Sequence, residues 1–294
     1  MATVATVGTF DGFHAGHRQL LGRLRCEAAV RDAESLVLTF DTHPLAVVAP
    51  ERVPPLLMSR ADVEAHIRAA GIDRIEVMHF TPEVAALTAR QFMERLRSRY
   101  DATALLMGYD NSIGSDRPRT PEAYIAAARD AGIDILFDEP FVDPATGLTP
   151  SSTLLRRLLA EGDIATYSRL AGEPFTLRGI VAHGRRNGHR LGFPTLNVEP
   201  EAAMCIPAPG VYAGTVSVGG NEYRAVINVG NNPTIATGNA LTIEAHAIDI
   251  DLGDRYGTEV AVTFINLLRH EQRFDSLDQL RRAIAADIAA ARTL

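Results

Sequence analysis

The chain has 294 residues, a formal net charge of −7, 46% apolar and 22% charged residues, and two cysteines. Such a length favours two domains with a sizeable core, the composition excludes a disordered chain, and no apolar run is long enough for a membrane span. Cys26 and Cys205 form no CxxC pair and there is no long basic block, so neither a disulfide or zinc scaffold nor a broad nucleic-acid footprint is expected.

Apolar runs of strand length occur at 4–7, 36–40, 75–79, 104–107 and 133–137, separated by helix-period stretches at 19–30, 60–70, 89–100 and 121–131. Ser59 with Asp62 has capping-box spacing, Thr120 before Pro121 supplies an N-cap with proline at N1, and Gly71 and Gly132 sit where helices should end. Strands alternating with crossover helices predict an α/β domain with a mostly parallel sheet and helices on both faces. Ligands of such sheets bind at the carboxyl ends of the strands. Two short helices are expected at 153–160 and 164–170, ending at Gly172, and Glu173 and Pro174 read as a linker. The domains are therefore placed at 1–172 and 173–294.

Beyond the linker the pattern changes to strands and glycine turns. Residues 211–218 and 222–229 flank Gly219, Gly220 and Asn221, a hairpin signal, and further strands are expected at 241–250 and 260–267. Residues 276–291 form an amphipathic helix pattern with Leu277, Leu280, Ile284 and Ile288 on one face. The second domain is expected to be a small antiparallel sheet or barrel with that helix packed on it.

Two stretches carry chemistry. The first strand breaks into Gly8, Thr9, Phe10, Asp11 and Gly12, and His14 and His17 follow as a helical pattern begins. A helix start offers unpaired N–H groups and the positive end of the dipole. Two histidines three apart on that helix share a face, an arrangement suited to a phosphorus centre gaining negative charge. The plainer reading is one capping and one surface histidine. The second stretch, 179–197, reads GIVAHGRRNGHRLGFPTLN. Gly184, Gly188 and Gly192 with Arg185, Arg186, His189 and Arg190 make a basic loop able to wrap phosphates, or simply a solvated surface loop. Its spacing is not that of a Walker P-loop. Thr195 and Asn197 lie on one side of an extended segment and offer hard oxygens of the kind that suit Mg²⁺ touching nucleotide phosphates. Thr242, Glu244 and His246 alternate in one strand and share a face, which by alternation alone also describes a solvated strand.

GTFDGFHAGH resembles the HxGH nucleotidyltransferases, and most closely the adenylyltransferase domain of prokaryotic bifunctional riboflavin kinase/FMN adenylyltransferases, the FAD synthetases. FDTHP at 40–44 resembles the family's F-x-x-H-P, and SSTLLR at 151–156 its S-S-T-x-I-R, which combines hydroxyls, a helix start and an arginine for ATP phosphates; the plainer reading of Ser151–Thr153 is an N-cap cluster. GYDNSIG at 108–114 departs from the family pattern: Asp110 is retained, but Asn111 and Ile113 replace residues that shape the flavin or nucleotide pocket. In the C-terminal half, the loop ending in PTLN resembles the riboflavin kinase signature G-x-x-x-G-R-x-L-G-F-P-T-x-N, with His189 where Arg is common and Leu196 where Ala is usual. GVY at 210–212, NVGNNPT at 228–234 (Asn232 where Arg is frequent), IEAH at 243–246, DIDLGDRYG at 249–257, and Arg269, Glu271 and Phe274 in R-x-E-x-x-F continue the likeness.

The resemblance implies an HxGH Rossmann-like domain followed by a riboflavin kinase barrel. It implies ATP-dependent phosphorylation of riboflavin to FMN, then adenylylation of FMN to FAD with release of pyrophosphate. His14 and His17 would serve adenylyl transfer, and Gly8, Thr9, Phe10, Asp11, Gly12, Ser151, Ser152, Thr153 and Arg156 would hold its ATP. Gly184, Arg185, Gly188 and Gly192 would bind the kinase's ATP, Glu244 would be the general base for the riboflavin 5′-hydroxyl, and Thr195 and Asn197 would hold Mg²⁺. His43, Asp110 and Asn228 would contact flavin. Expected partners are riboflavin, FMN and ATP, with neither nucleic acid nor membrane; the compartment is the cytoplasm, and self-association is compatible with the sequence. The altered stretch at 108–114 leaves a second reading, a riboflavin kinase whose N-terminal domain binds nucleotide without transferring adenylyl groups.

Overall fold

The computed structural model describes residues 1–183, 192–201, 203–231 and 241–293. The chain forms two compact units, one of Met1–Pro54 with Arg60–Ser151, the other of Pro55–Ser59 with Ser152–Leu294.

In the first unit β1 (Thr3–Val7), β2 (Glu34–Phe40), β3 (Arg74–Met78), β4 (Ala102–Met107) and β5 (Asp134–Phe137) form one parallel sheet in the order β3-β2-β1-β4-β5. The order reverses between β1 and β4, so the crevice for a ligand lies at their carboxyl ends. All five residues of β1 are buried, as expected of a central strand covered on both faces. Helix α1 (Ala15–Val30) buries Leu20, Leu21, Leu24 and Ala28 and packs on β1 and β2. It starts four residues before its apolar pattern does, because His14 caps it. The other helices are α2 (Leu45–Val48), α3 (Arg60–Ala69), α4 (Pro82–Ala85), α5 (Ala89–Tyr100) and α6 (Pro121–Ala131). Single-turn α2 and α4 are too short to leave a periodic signal. Thr120 accepts from the Ala123 N–H at 3.3 Å and Gly132 ends α6 with φ 66°, as the capping residues predicted.

In the second unit α7 (Ser152–Glu161) and α8 (Ile164–Ala171) precede six antiparallel strands: β6 (Phe175–Ala182), β7 (Leu196–Pro200), β8 (Gly210–Val218), β9 (Asn221–Asn231), β10 (Leu241–Ala247) and β11 (Glu259–His270). They close into a barrel in the order β10-β7-β6-β11-β8-β9. Helix α8 packs on β6 and β11, which groups residues 152–171 with the barrel although the sequence draws its linker at 172. Gly219 (φ 59°) and Gly220 (φ 79°) make the two-residue turn between β8 and β9, the backbone that hairpins of this length need. Ile227, Val229, Ile243 and Ala245 are at most 1% exposed and fill the barrel. The terminal helix α9 (Leu277–Ala291) lies on the outer face of β8 and β9, where Ala291 and Ile288 pack with Val211 and Val226. Leu277, expected on the packed face, is instead 64% exposed. It is the first residue after the Ser276 cap, and the half-buried face of Leu280, Ile284 and Ile288 begins one turn later.

Candidate active sites

The first site is built on the loop from β1 to α1. The Gly8 N–H donates to the Leu38 carbonyl at 3.0 Å. Phe10 (φ 53°), Gly12 (φ 78°) and Phe13 (φ 28°) all have positive φ, which is uncommon for phenylalanine and persists only where packing over-determines it. Here both rings are buried, and both lie against His17, with centroids 5.1 and 6.4 Å away. The apolar anchors therefore aim the loop at the histidines.

His14 is the N-cap of α1: its Nδ1 accepts from the His17 N–H at 3.4 Å. An accepting nitrogen carries no proton, so the neutral ring holds its hydrogen on Nε2. The two imidazoles stack with centroids 3.7 Å apart and planes 18° apart. Burial, then the charge of Arg18, hold His14 down at about 4. Burial, then His14 and Arg18, hold His17 well below the usual histidine range. His17 Nδ1 is buried and has no hydrogen-bond partner among the described residues. The pair is thus neutral at physiological pH, since stacked rings cannot both ionise at low cost.

GYDNSIG follows β4 at the same crevice. Asn111 Nδ2 donates to the Val7 carbonyl at 2.7 Å, tying this loop to the end of β1. Ile113 is buried, and its backbone N–H donates to the Tyr124 hydroxyl at 3.0 Å. Asn111 and Ile113 line a cavity of about 650 Å³ together with Gly8, Thr9, Phe40 and Phe80, within the size range of ligand pockets. His43 and Asp110 do not line it. His43 Nδ1 accepts from the Leu45 N–H at 3.1 Å, and Asp110 is exposed. Asp11 is buried beside the glycines. Ser152, Thr153 and Arg156 occupy the start of α7, just after Ser151; Thr153 is exposed, and Arg156 Nε donates to the Pro55 carbonyl at 2.7 Å.

The second site lies on the outside of the barrel under α9. Glu244 on β10 stands directly opposite Asn197 on β7 and Asn228 on β9. Directly opposed residues share a face and approach closely, so three strands bring an amide, a carboxylate and an amide into one row. The row continues through Val211 on β8 to Arg269 on β11. Burial pushes the Glu244 carboxyl up, against a hydrogen bond from the Thr195 hydroxyl that holds it down. A pocket of about 290 Å³ is lined by Thr195, Asn228, Glu244 and His246 on the barrel side and by Leu280 and Ile284 of α9. Arg269 grips Asp287 of α9 with Nη2–Oδ2 at 2.8 Å and Nε–Oδ1 at 3.0 Å, and its guanidinium lies over Phe274. Gly192 has φ 88°, and no described residue lies within 4 Å of where a side chain would be. Gly184, Arg185 and Gly188 lie outside the described residues.

Family models described as FAD synthetase and riboflavin kinase match residues 1–147 and 171–294 respectively. A bifunctional riboflavin kinase/FMN adenylyltransferase of Pseudomonas fluorescens is 36% identical over 99% of this chain and 92% of its own length. The chain belongs to the bifunctional riboflavin kinase/FMN adenylyltransferase family. An Escherichia coli K12 member is 35% identical over 98% of this chain and 91% of its own length. A solved structure from Streptococcus pneumoniae, titled a macrolide-efflux protein, is 28% identical with a TM-score of 0.87, over 100% of this chain and 95% of that one. No helix among the described residues is long and apolar enough to cross a membrane. The enzyme phosphorylates riboflavin to FMN and adenylylates FMN to FAD, with ATP as the donor in both steps. Both halves match, which supports the two-activity reading over the kinase-only one.

Sequence reasoning missed Asn111 as a tether, the Arg269–Asp287 clamp, and the contacts of His246. Only the clamp left a trace, an acid in the last turns of an otherwise apolar helix face.

Proposed function

We propose that the two reactions divide between residues 1–172 and 173–294 and that Glu244 is the general base of the kinase half. The observation that carries this is the row in which Asn197, Glu244 and Asn228 oppose one another, with the Thr195 hydroxyl on the carboxylate. Glu244 takes the proton of the riboflavin 5′-hydroxyl as that oxygen bonds to the γ-phosphorus of ATP and the bond to ADP breaks. A half-buried carboxylate with a raised pKa is a better base for this task than an exposed one. Asn228, one residue across, orients the flavin ribityl chain. The Thr195 hydroxyl and Asn197 amide oxygen are neutral hard donors next to a carboxylate, a set that fits Mg²⁺ completed by substrate phosphates. When bound there, the ion would neutralise phosphate charge. Gly184, Arg185, Gly188 and Gly192 keep their sequence-based assignment to the phosphates of the kinase's ATP.

In the other half an FMN phosphate oxygen bonds to the α-phosphorus of ATP and pyrophosphate leaves. The N–H groups of His14 and His17 and the start of α1 stabilise the charge that builds on the equatorial oxygens. Gly8, Thr9, Phe10, Asp11 and Gly12 form the cradle, and Ser151, Ser152, Thr153 and Arg156 serve the ATP phosphates. The flavin contacts assigned from the sequence to His43 and Asp110 have weaker support than Asn111 and Ile113, which line the cavity. Cys26 and Cys205 are not joined in a disulfide, which fits a reducing, cytoplasmic compartment.

The test is to incubate the purified chain with Mg²⁺ and ATP, supply riboflavin or FMN separately, and resolve the flavins by chromatography. Riboflavin should give FMN and then FAD, and FMN alone should give FAD. FMN from riboflavin with no FAD from FMN would leave the kinase only.

A further inference from the structure

We propose that His246 is a positioning residue for the kinase reaction, holding the 193–195 segment so that the Thr195 hydroxyl reaches Glu244. This rests on the role of Glu244 and Thr195 given above. His246 follows Glu244 by two residues on β10 and so presents its ring on the same outer face. Its Nδ1 lies 2.7 Å from the Pro194 carbonyl. A carbonyl oxygen only accepts, so Nδ1 carries the proton and the ring is fixed in that tautomer. The same ring meets Phe193 edge-on, with centroids 5.8 Å apart and planes at 88°. One side chain therefore contacts both residues before Thr195.

The segment needs such a hold. Proline has no N–H, so Pro194 cannot donate to the barrel ladder, and β7 begins only at Leu196. Thr195 lines the pocket under α9 and also a small hollow on its other side, next to Pro194, Ala245 and Ala247. It stands in a thin wall between two spaces. Without a fixed Pro194 carbonyl the wall can rotate, and the hydroxyl leaves Glu244. Phosphoryl transfer depends on positioning, so the loss should appear in turnover more than in flavin binding.

Three variants of the full-length chain test this, with far-UV circular dichroism to check folding and FAD formation from supplied FMN to check the rest of the molecule. His246→Phe keeps the ring and removes the donor; kcat for FMN formation should fall about 10- to 100-fold while KM for riboflavin stays within about threefold. His246→Asn places an amide N–H near the former Nδ1 and should recover most of kcat. On a Thr195→Ala background, His246→Phe should cost little more, because both changes break one unit. Nitrogen NMR of the ligand-free protein should find His246 protonated on Nδ1. The proposal is overturned by an Nε2–H tautomer, by His246→Asn behaving like His246→Phe, or by full additivity with Thr195→Ala. Should His246→Phe not fold, the Asn variant, the tautomer and a His246→Gln comparison decide the matter. Unchanged kcat in Thr195→Ala alone would instead sink the role given to Thr195.

Discussion

The two sites solve related phosphorus chemistry with opposite electrostatics. At the crevice between β1 and β4, burial keeps two histidines neutral, which in the proposed role lets them meet charge that the reaction creates. On the outer barrel face, burial raises a carboxylate, which suits the proposed base that removes a proton. The same physical cause, desolvation, disfavours the charged form in both. Its chemical use differs because one group is a base that loses its charge and the other an acid that holds its proton more tightly. Adenylyl transfer starts from an FMN phosphate that is already a nucleophile and needs donors; the kinase starts from a neutral alcohol and needs a base.

The sharpest way to break that contrast is Glu244→Gln, which keeps shape and removes the proposed base. FMN formation should fall by about 10²- to 10⁴-fold, while FAD formation from supplied FMN persists, measured by chromatography of each reaction separately. Next in size is His17→Ala. Removing one preorganised donor should lower FAD formation by about 10²- to 10³-fold and leave FMN formation from riboflavin standing. Equal damage to both activities by either change, in a folded protein, would show that the contrast between the sites is misdrawn.

How legible each site was in the sequence follows from how local it is. The helix start, its two histidines and the glycine loop lie within one short stretch, and both parallel-sheet alternation and the Thr120–Pro121 cap were readable from spacing. The second site is assembled across strands. Alternation predicted that Glu244 and His246 share a face, but not that Asn197 and Asn228 stand opposite Glu244, because register depends on which strands pair in the closed barrel. The two-residue spacing of Thr195 and Asn197 singled out the Asn197 amide and the motif resemblance supplied Asn228, but neither gave their pairing with Glu244. Leu277 was assigned to the buried face because periodicity does not say where a helix first meets its partner. Asn111 was legible as a departure from the family pattern, but not as the residue whose amide ties the loop to β1.

Neutral histidines also carry a pH signature that the barrel site does not share. In the unfolded chain His14 protonates near 6.5; in the fold it does so only near 4. Between those values the unfolded state binds more protons, so stability is complete above about pH 6.5 and is lost as pH falls towards 4. For His14 the loss is on the order of 3 kcal/mol. His14→Asn retains a capping side chain without that titration. Urea unfolding followed by circular dichroism should therefore show a steeper acid loss in the parent chain than in the variant. Parallel pH curves would mean that the pair is not held neutral by burial.

The smallest change asks why a glycine separates the two histidines. A Cβ on Gly16 would sit 3.2 Å from His14 Nδ1 and 3.3 Å from its Cε1, closer than ordinary contact, so the ring would have to give by a few tenths of an ångström. Alanine in place of glycine within a helix is worth up to about 1 kcal/mol in stability, and Gly16 has no positive φ that an alanine would strain. Fold and function are therefore expected to move in opposite directions. Gly16→Ala should unfold at the same urea concentration or higher, while FAD formation drops about tenfold because the stacked ring leaves its place. FMN formation in the same preparation isolates the effect to the histidine site. If FAD formation were unchanged, the space above Gly16 would serve the helix start alone, and the stacking of His14 on His17 would not be what the reaction requires.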